Sequence, residues 1–298
     1  MSQIQKYVWL IENIRRAGKI SLKDLSRKWQ SNVELSDDKP LHRATFNRWI
    51  REIYNQFNII ISCQAAGGYL YYIENPEAIE DDRLKKWMLD SFAIGNMIGE
   101  NMDLKERILV DEIPSGHDFL TVVIEGMRAS RVMEITYHSY HRPDASTFTI
   151  KPYCLKFFEN RWYLLGFNDF YKDLRIYALD RIRNARVTDK QFKMPLSFNA
   201  SEYFTNSYGI VVTKDHPRRI VLRAYGTQKH YLMSLPLHPS QSLIEDTNEY
   251  ADFDMYLIPT YDFIMRLLQL GPQIEVLKPT ELRDEVANWI EQMNSLYH

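Results

Sequence analysis

No run of eighteen apolar residues occurs anywhere in these 298 residues, so no segment has the length to cross a bilayer as a helix. The opening residues, Met1-Ser2-Gln3-Ile4-Gln5-Lys6-Tyr7, lack the basic start, apolar stretch and small-residue cleavage site of a secretory signal. A cytoplasmic location with no membrane contact is the expectation. Cysteine is scarce: Cys63 and Cys154 each stand alone in apolar, strand-like runs, which predicts two buried free thiols rather than a disulfide. A Gly-rich phosphate loop and a Gly-x-Ser-x-Gly elbow are both absent, and no Ser, His and carboxylate triad is legible. The expected protein is not an enzyme and carries no cofactor. His138-Ser139-Tyr140-His141 places two imidazoles close together, but no cysteine pair or nearby carboxylate completes a zinc site, so no metal is expected.

An excess of one charge is also missing, since the net charge is only −2. That small number hides an alternation along the chain. Residues 1–75 carry 11 Lys and Arg against 7 Asp and Glu, residues 76–117 carry 5 against 10, residues 118–192 carry 12 against 9, and residues 193–298 carry 9 against 13. Two basic segments alternate with two acidic ones, which restricts any polyanion contact to the first and third. The length asks for two or three domains, and 45% hydrophobic with 26% charged residues is ordinary for a soluble chain.

In the first segment, Ile4, Tyr7, Val8, Leu10, Ile11 and Ile14 have helical spacing that stops at Gly18. Ser21 is placed to cap a second helix from Leu22 to Trp29, and a polar loop runs from Ser31 to Pro40. A third helix is predicted from Leu41 to Phe57, with Phe46, Trp49, Ile50, Ile53 and Phe57 inward and Arg43, Asn47, Arg48 and Arg51 off that stripe. Two apolar runs then bracket Gly67-Gly68 as a hairpin. Three helices and a hairpin are the outline of a winged helix-turn-helix whose third helix enters the major groove. Arg matches guanine edges there and Asn matches adenine edges.

Residues 76–117 read as a helical linker. An apolar helix runs from Leu84 to Ile98, either packed on its own chain or at a dimer contact, and a short helix runs from Leu104 to Val110. After a helix from His117 to Arg128, strands are predicted at Arg131–Tyr140, Ser146–Phe158, Arg161–Asn168 and Leu174–Ile182, the last continuing to Val187. Tight turns between them suggest a small curled β-barrel of Sm or SH3 type. Strand alternation puts Arg175, Tyr177, Leu179 and Arg181 on one face, where two guanidiniums flanking a phenol suit a flat or phosphate-bearing anion. In Arg161-Trp162-Tyr163-Leu164, Trp162 and Leu164 share the core side, which leaves Tyr163 as the one to touch a ligand. Residues 193–216 read as an irregular connector. The remainder alternates strand, helix, strand, strand, helix, strand and helix, a compact α+β unit of ferredoxin-like order, with Thr280 capping its last helix. The expected fold class is α+β multidomain, with domains 1–75, 118–192 and 193–298.

With these elements in order, the chain resembles the bacterial WYL-domain transcriptional regulators. The resemblance rests on Trp162-Tyr163-Leu164, Ile135-Thr136-Tyr137, Lys151-Pro152 and Arg175-x-Tyr177-x-Leu179-Asp180-Arg181-Ile182. Leu267-Leu268 to Gly271, Glu275-Val276-Leu277-x-Pro279 and Leu282-Arg283 in the tail extend it. It implies a winged helix, a central ligand-sensing barrel and a C-terminal extension domain, with a nucleotide-like or nucleic-acid ligand. The implied pocket is Tyr137, Arg175, Tyr177 and Arg181, with His138, His141 and Arg142 near its mouth. Two departures stand out: Ala178 occupies a place where many relatives have a further Arg, and Glu34 to Asp38 form an acidic insertion before the third helix.

The expected function is therefore a ligand-responsive regulator, a homodimer on double-stranded DNA. Arg43, Asn47, Arg48 and Arg51 would contact DNA, with Thr45 or Lys19 on phosphate. The alternative is an accessory module whose winged helix docks protein and whose barrel binds single-stranded nucleic acid.

Overall fold

The computed structural model describes residues 3–32, 36, 39–100, 107, 109 and 117–298. It divides into two compact units, Met1–Asp111 and Glu112–His298. The acidic insertion at Glu34 to Asp38 lies outside the described residues except for Ser36, and so does the short helix expected from Leu104 to Val110 except for Arg107 and Leu109.

In the first unit, α1 (Gln3–Ala17) buries Tyr7, Val8, Trp9, Leu10, Ile11 and Ile14, and Gly18 at φ 66° stops it. β1 (Ile20–Ser21) leads into α2 (Leu22–Ser31), where the Ser21 hydroxyl accepts from Asp24 N at 3.1 Å, the expected cap. α3 (Arg43–Phe57) starts two residues later than its apolar pattern suggested. It buries Phe46, Trp49, Ile53 and Phe57 at intervals of three and four and ends at Asn58, whose φ is 55°. β2 (Ile61–Gln64) and β3 (Leu70–Ile73) form the hairpin, with φ 91° at Gly67 and 109° at Gly68, values that a side chain disfavours. β1 adds to it, giving a three-stranded sheet in the order β1-β3-β2.

One core holds these parts together. Trp29 meets Trp9 and Trp49 edge-on, with ring centroids 5.1 Å apart in both cases, and Phe46 meets Tyr71 at 4.6 Å. α4 (Glu77–Glu80) and α5 (Arg83–Glu100) occupy the region expected as a linker, and they contribute Ile79, Leu89 and Ala93 to this same core. Of the two roles open to the apolar helix, packing on its own chain is observed: Arg15 of α1 donates to Asp90 of α5 at 3.0 Å. Cys63 is exposed on the edge strand β2, not buried as its neighbours suggested, because a strand end at a hairpin faces water on both sides.

In the second unit a 3-10 turn (His117–Phe119) and α6 (Leu120–Arg128) precede five antiparallel strands: β4 (Arg131–Tyr137), β5 (Ser146–Phe158), β6 (Arg161–Asn168), β7 (Asp173–Ala178) and β8 (Ile182–Gln191). Their order is β7-β6-β5-β4-β8. The expectation of one strand from Leu174 through Ile182 to Val187 is corrected here. A 3-10 turn at Leu179–Arg181 breaks it, so that β7 pairs with β6 while β8 pairs with β4 across the sheet. Leu179, fully buried, anchors the corner in a core of Val123, Met133, Ile135, Ile150, Leu164, Tyr177 and Ile182. Trp162 packs against this core as its alternation implied.

The connector contains only α7 (Ala200–Phe204) as regular structure and one isolated bridge, Ser207 to Ile258. β9 (Arg218–Tyr225), α8 (Gln228–Ser234), β10 (Ser242–Asp246), β11 (Tyr250–Leu257), α9 (Tyr261–Gln269), β12 (Ile274–Lys278) and α10 (Thr280–Ser295) complete the chain. Their strands form an antiparallel sheet in the order β10-β11-β9-β12. Thr280 is the first helical residue of α10 and not its cap: Pro279 holds the cap position, and no side chain bonds the helix start. The whole is a mixed α+β chain with helices at the N-terminus and several antiparallel sheets.

Candidate functional site

Two surfaces collect the residues singled out in the sequence, one in each unit. On α3 the heptad-like burial of Phe46, Trp49 and Ile53 leaves Arg43, Asn47, Arg48 and Arg51 exposed, with Thr45 half-buried beside them. Among the described residues no carboxylate forms an ion pair with Arg43, Arg48 or Arg51. Their charge is thus open to an outside anion. Lys19, the other expected phosphate contact, is tied to Gln64 at 2.6 Å and sits 5.5 Å from the centre of the Tyr72 ring.

The second surface is a cleft of about 380 Å³ in the five-stranded sheet, large enough for a nucleotide-sized group. Strand ends and corners build it. β4 ends with Tyr137, the following loop brings Ser139, His141, Arg142 and Asp144, and β5 opens with Ser146 and Phe148. The β6–β7 turn supplies Tyr171, β7 supplies Arg175 and Tyr177, and the 3-10 corner supplies Arg181. The corner is what makes the cluster possible, since it turns Arg181 toward the ring of Tyr140, 4.0 Å from its guanidinium. Arg175 stacks likewise on Tyr171 at 4.4 Å, and Arg142 donates to the Tyr171 hydroxyl at 3.3 Å.

The floor is aromatic and hydrogen-bonded. Tyr137 and Tyr177 meet edge-on at 5.3 Å, and Phe148 packs on Tyr177 at 5.5 Å. The Tyr137 hydroxyl accepts from Ala178 N at 3.4 Å, and Tyr177 accepts from the buried Asn168 side chain at 3.0 Å. Burial raises both phenols above the usual tyrosine range, more than the nearby Arg181 and the Asn168 bond lower them. Both therefore stay protonated and can donate to a ligand. Among the described residues Arg142, Arg175 and Arg181 form no ion pair. The half-buried carboxylate of Asp180 beside Arg181 is taken by Arg161 at 3.0 Å. Three cations against the single lining carboxylate of Asp144 make a site for an anion with flat groups.

Of the expected pocket residues, Tyr137, His141, Arg142, Arg175, Tyr177 and Arg181 line the cleft. His138 and Tyr163 are not among the lining residues. The His138 backbone donates to the Arg181 carbonyl at 3.0 Å, which fixes the corner from behind. Tyr163 lies on β6 opposite Ala178, the last residue of β7, outside the lining of the cleft. Phe148 and Tyr171 of the lining were missed, as were Tyr140 and Asn168, which hold Arg181 and Tyr177 from outside it. Phe170-Tyr171, two aromatics inside a charged turn, carried a readable signal. So did Asn168, whose side chain accepts from Phe170 N at 3.0 Å as an Asx turn. Among the described residues no group of three or more His, Cys, Asp or Glu is placed to hold a metal ion.

Comparison with known proteins gives two family matches: a WYL domain at residues 118–187 and a WCX domain at residues 216–293. No curated protein sequence matches the chain. Among solved structures, proteasome accessory factor B/C (PafBC) of Arthrobacter aurescens is 18% identical with a TM-score of 0.33, covering 95% of this chain. This chain spans only 45% of the length of PafBC. A CRISPR Cas-related protein is 10% identical with a TM-score of 0.40, over 100% of this chain and 87% of its own. The cleft falls within the first matched region, its lining running from Tyr137 to Arg181. The chain thus carries a WYL domain at residues 118–187 followed by a WCX domain at residues 216–293.

Proposed function

We propose that this chain is a transcription regulator that binds double-stranded DNA through α3 and senses an anionic, nucleotide-like or nucleic-acid ligand in the cleft of its WYL domain. The observation that carries the reading is the unpaired row of Arg43, Asn47, Arg48 and Arg51 on the face of α3 opposite its buried stripe. In this reading the first unit is a winged helix-turn-helix with the β2–β3 hairpin as wing. The five-stranded sheet is a small Sm-like barrel, and the last domain is ferredoxin-like. The protein acts in the cytoplasm as a homodimer, since two-fold pairing doubles the DNA surface of a small module. It catalyses no reaction. Arg175 and Arg181 grip the anionic part of the ligand, Arg142 and His141 stand at the mouth, and the phenols of Tyr137 and Tyr177 lie beneath. Regulation requires reciprocity: ligand changes DNA affinity by the same factor by which DNA changes ligand affinity.

The stacked pairs Arg181 on Tyr140 and Arg175 on Tyr171 favour a second reading. Such pairs also suit single-stranded nucleic acid as the main target, with the winged helix docking protein. One experiment separates the two: selection of bound sequences from random duplex DNA over a salt series, repeated with an Arg48→Glu, Arg51→Glu variant. Enrichment of a two-fold motif, with affinity that falls steeply with salt and is abolished in the variant, supports the regulator. Binding to single strands alone, unchanged in the variant, transfers the function to the WYL cleft.

A further inference from the structure

The N-terminal unit holds a crevice of its own, about 210 Å³, to which α3 contributes no residue. α1 supplies Trp9, Glu12 and Arg16, the last turn of α2 supplies Lys28, and α5 supplies Asn96. Glu12 is 7% exposed, an uncommon depth for a carboxylate. Its Oε1 is buried and stands 3.0 Å from Arg15 Nε as an ion pair but accepts no hydrogen bond, and Arg15 is shared in turn with Asp90 of α5. Its Oε2 lies 4.0 Å from Arg16 Nε, beyond hydrogen-bond reach. Burial raises the Glu12 carboxyl above its usual range although two arginines stand near it, as expected of a carboxylate that lacks water and a full set of donors. The crevice thus has an under-satisfied anion in its wall and two cations, Arg16 and Lys28, of which Arg16 is largely exposed.

These charges select among ligands. A simple anion meets repulsion from Glu12, and a simple cation meets it from Arg16 and Lys28. A molecule carrying both signs a few bonds apart satisfies both. The volume lies below that of pockets for drug-sized ligands, so the molecule must be small. We propose that this crevice binds a small amphoteric metabolite of the α-amino-acid class, its ammonium donating to the Glu12 carboxylate and its carboxylate held by Arg16 and Lys28. Bound there, it bridges α1, α2 and α5 and stabilises the N-terminal unit by mass action. The site is independent of the WYL cleft and of the regulator reading.

The test uses the full-length protein, with the twenty standard L-amino acids as probes in thermal-shift and calorimetric titrations. Any amino acid that binds is then compared with its amide and its N-acetyl form. The expected result is binding by at least one free amino acid, weakened about tenfold or more when either charged end is blocked, the scale of one lost charge-assisted hydrogen bond. Glu12→Gln should weaken it to the same degree. Because Glu12 is buried, Lys28→Ala at an exposed position gives a second variant that keeps the fold, and Arg175→Ala in the other unit should bind as the parent does. The proposal is overturned if no amino acid shifts the melting temperature at about 10 mM, far above metabolite-range affinities. Binding equally strong in Glu12→Gln and Lys28→Ala, or indifferent to blocking either end, overturns it as well.

Discussion

The guanidinium of Arg181 lies 4.0 Å from the centre of the Tyr140 ring, while the Arg181 carbonyl accepts from the backbone of His138 at 3.0 Å. Side chain and backbone of one corner residue are thus both held by the loop that leaves β4, so the cation reaches the cleft already oriented. Arg181→Ala should lower affinity for a short single-stranded oligonucleotide about tenfold or more in anisotropy titrations, with little change in stability. Arg181→Lys should recover only part of the loss, since an ammonium keeps the charge but not the planar stack. Equal binding by all three proteins would remove Arg181 from the ligand site.

Asn168 is 1% exposed and makes three bonds: it donates to Tyr177 Oη at 3.0 Å and accepts from Phe170 N at 3.0 Å and Tyr171 N at 3.4 Å. Asn168→Ala orphans the turn amides and frees the Tyr171 ring on which Arg175 stacks. A loss of about 1–3 kcal/mol in urea denaturation is expected, together with weaker ligand binding. A stability loss without any binding defect would mean that the turn is only structural.

Lys156 and Cys154 give opposite pH signatures. Burial lowers Lys156 from the usual 10.5 to about 8, the pull of Asp262 notwithstanding, while its ammonium sits 4.0 Å from the Phe204 ring centre. Between about 8 and 10.5 the unfolded chain keeps this proton and the folded one releases it, so stability rises with pH across that window. Burial raises Cys154 from 9.0 to about 11, so the unfolded chain loses its proton first, and stability falls across that range. Denaturation from pH 7 to 10.5 should show the rising component missing in Lys156→Met and the falling one missing in Cys154→Ala. Identical pH profiles for the two variants would contradict this assignment.

Gly209 leaves room for Asp262, whose Oδ2 accepts from Ile210 N and Val211 N at 2.8 Å each. A Cβ at 209 would stand 2.4 Å from that oxygen and 2.9 Å from the Asp262 Cβ, so the whole side chain must move. Gly209→Ala should cost about 1–3 kcal/mol in thermal or urea unfolding, the usual scale of overpacking with lost hydrogen bonds. A neutral substitution would show that the connector shifts freely at this point.

Much of this was legible because local physics decided it. The spacing of Phe46, Trp49, Ile53 and Phe57 already determined which side of α3 is buried, and so exposed Arg43, Asn47, Arg48 and Arg51, because a helix repeats every 3.6 residues whatever it packs against. The Ser21 cap, the Gly67-Gly68 turn and the four strands of the last sheet followed from equally short-range rules. Alternation within a strand likewise placed Leu164 in the core.

What alternation could not foresee was where a strand stops. Leu179 to Arg181 look like more strand, yet Leu179 is pulled into the core and Ile182 re-pairs with β4, a partner forty-five residues away in sequence. That long-range pairing, absent from any local window, set the corner that carries Arg181 into the cleft it shares with Phe148 and Tyr171. The sequence by itself determined which residues are cationic, aromatic or apolar and the period on which they recur. Only the tertiary structure decided which of them meet, because burial of Leu179 and the β4–β8 ladder outweigh the weak local preference to continue a strand.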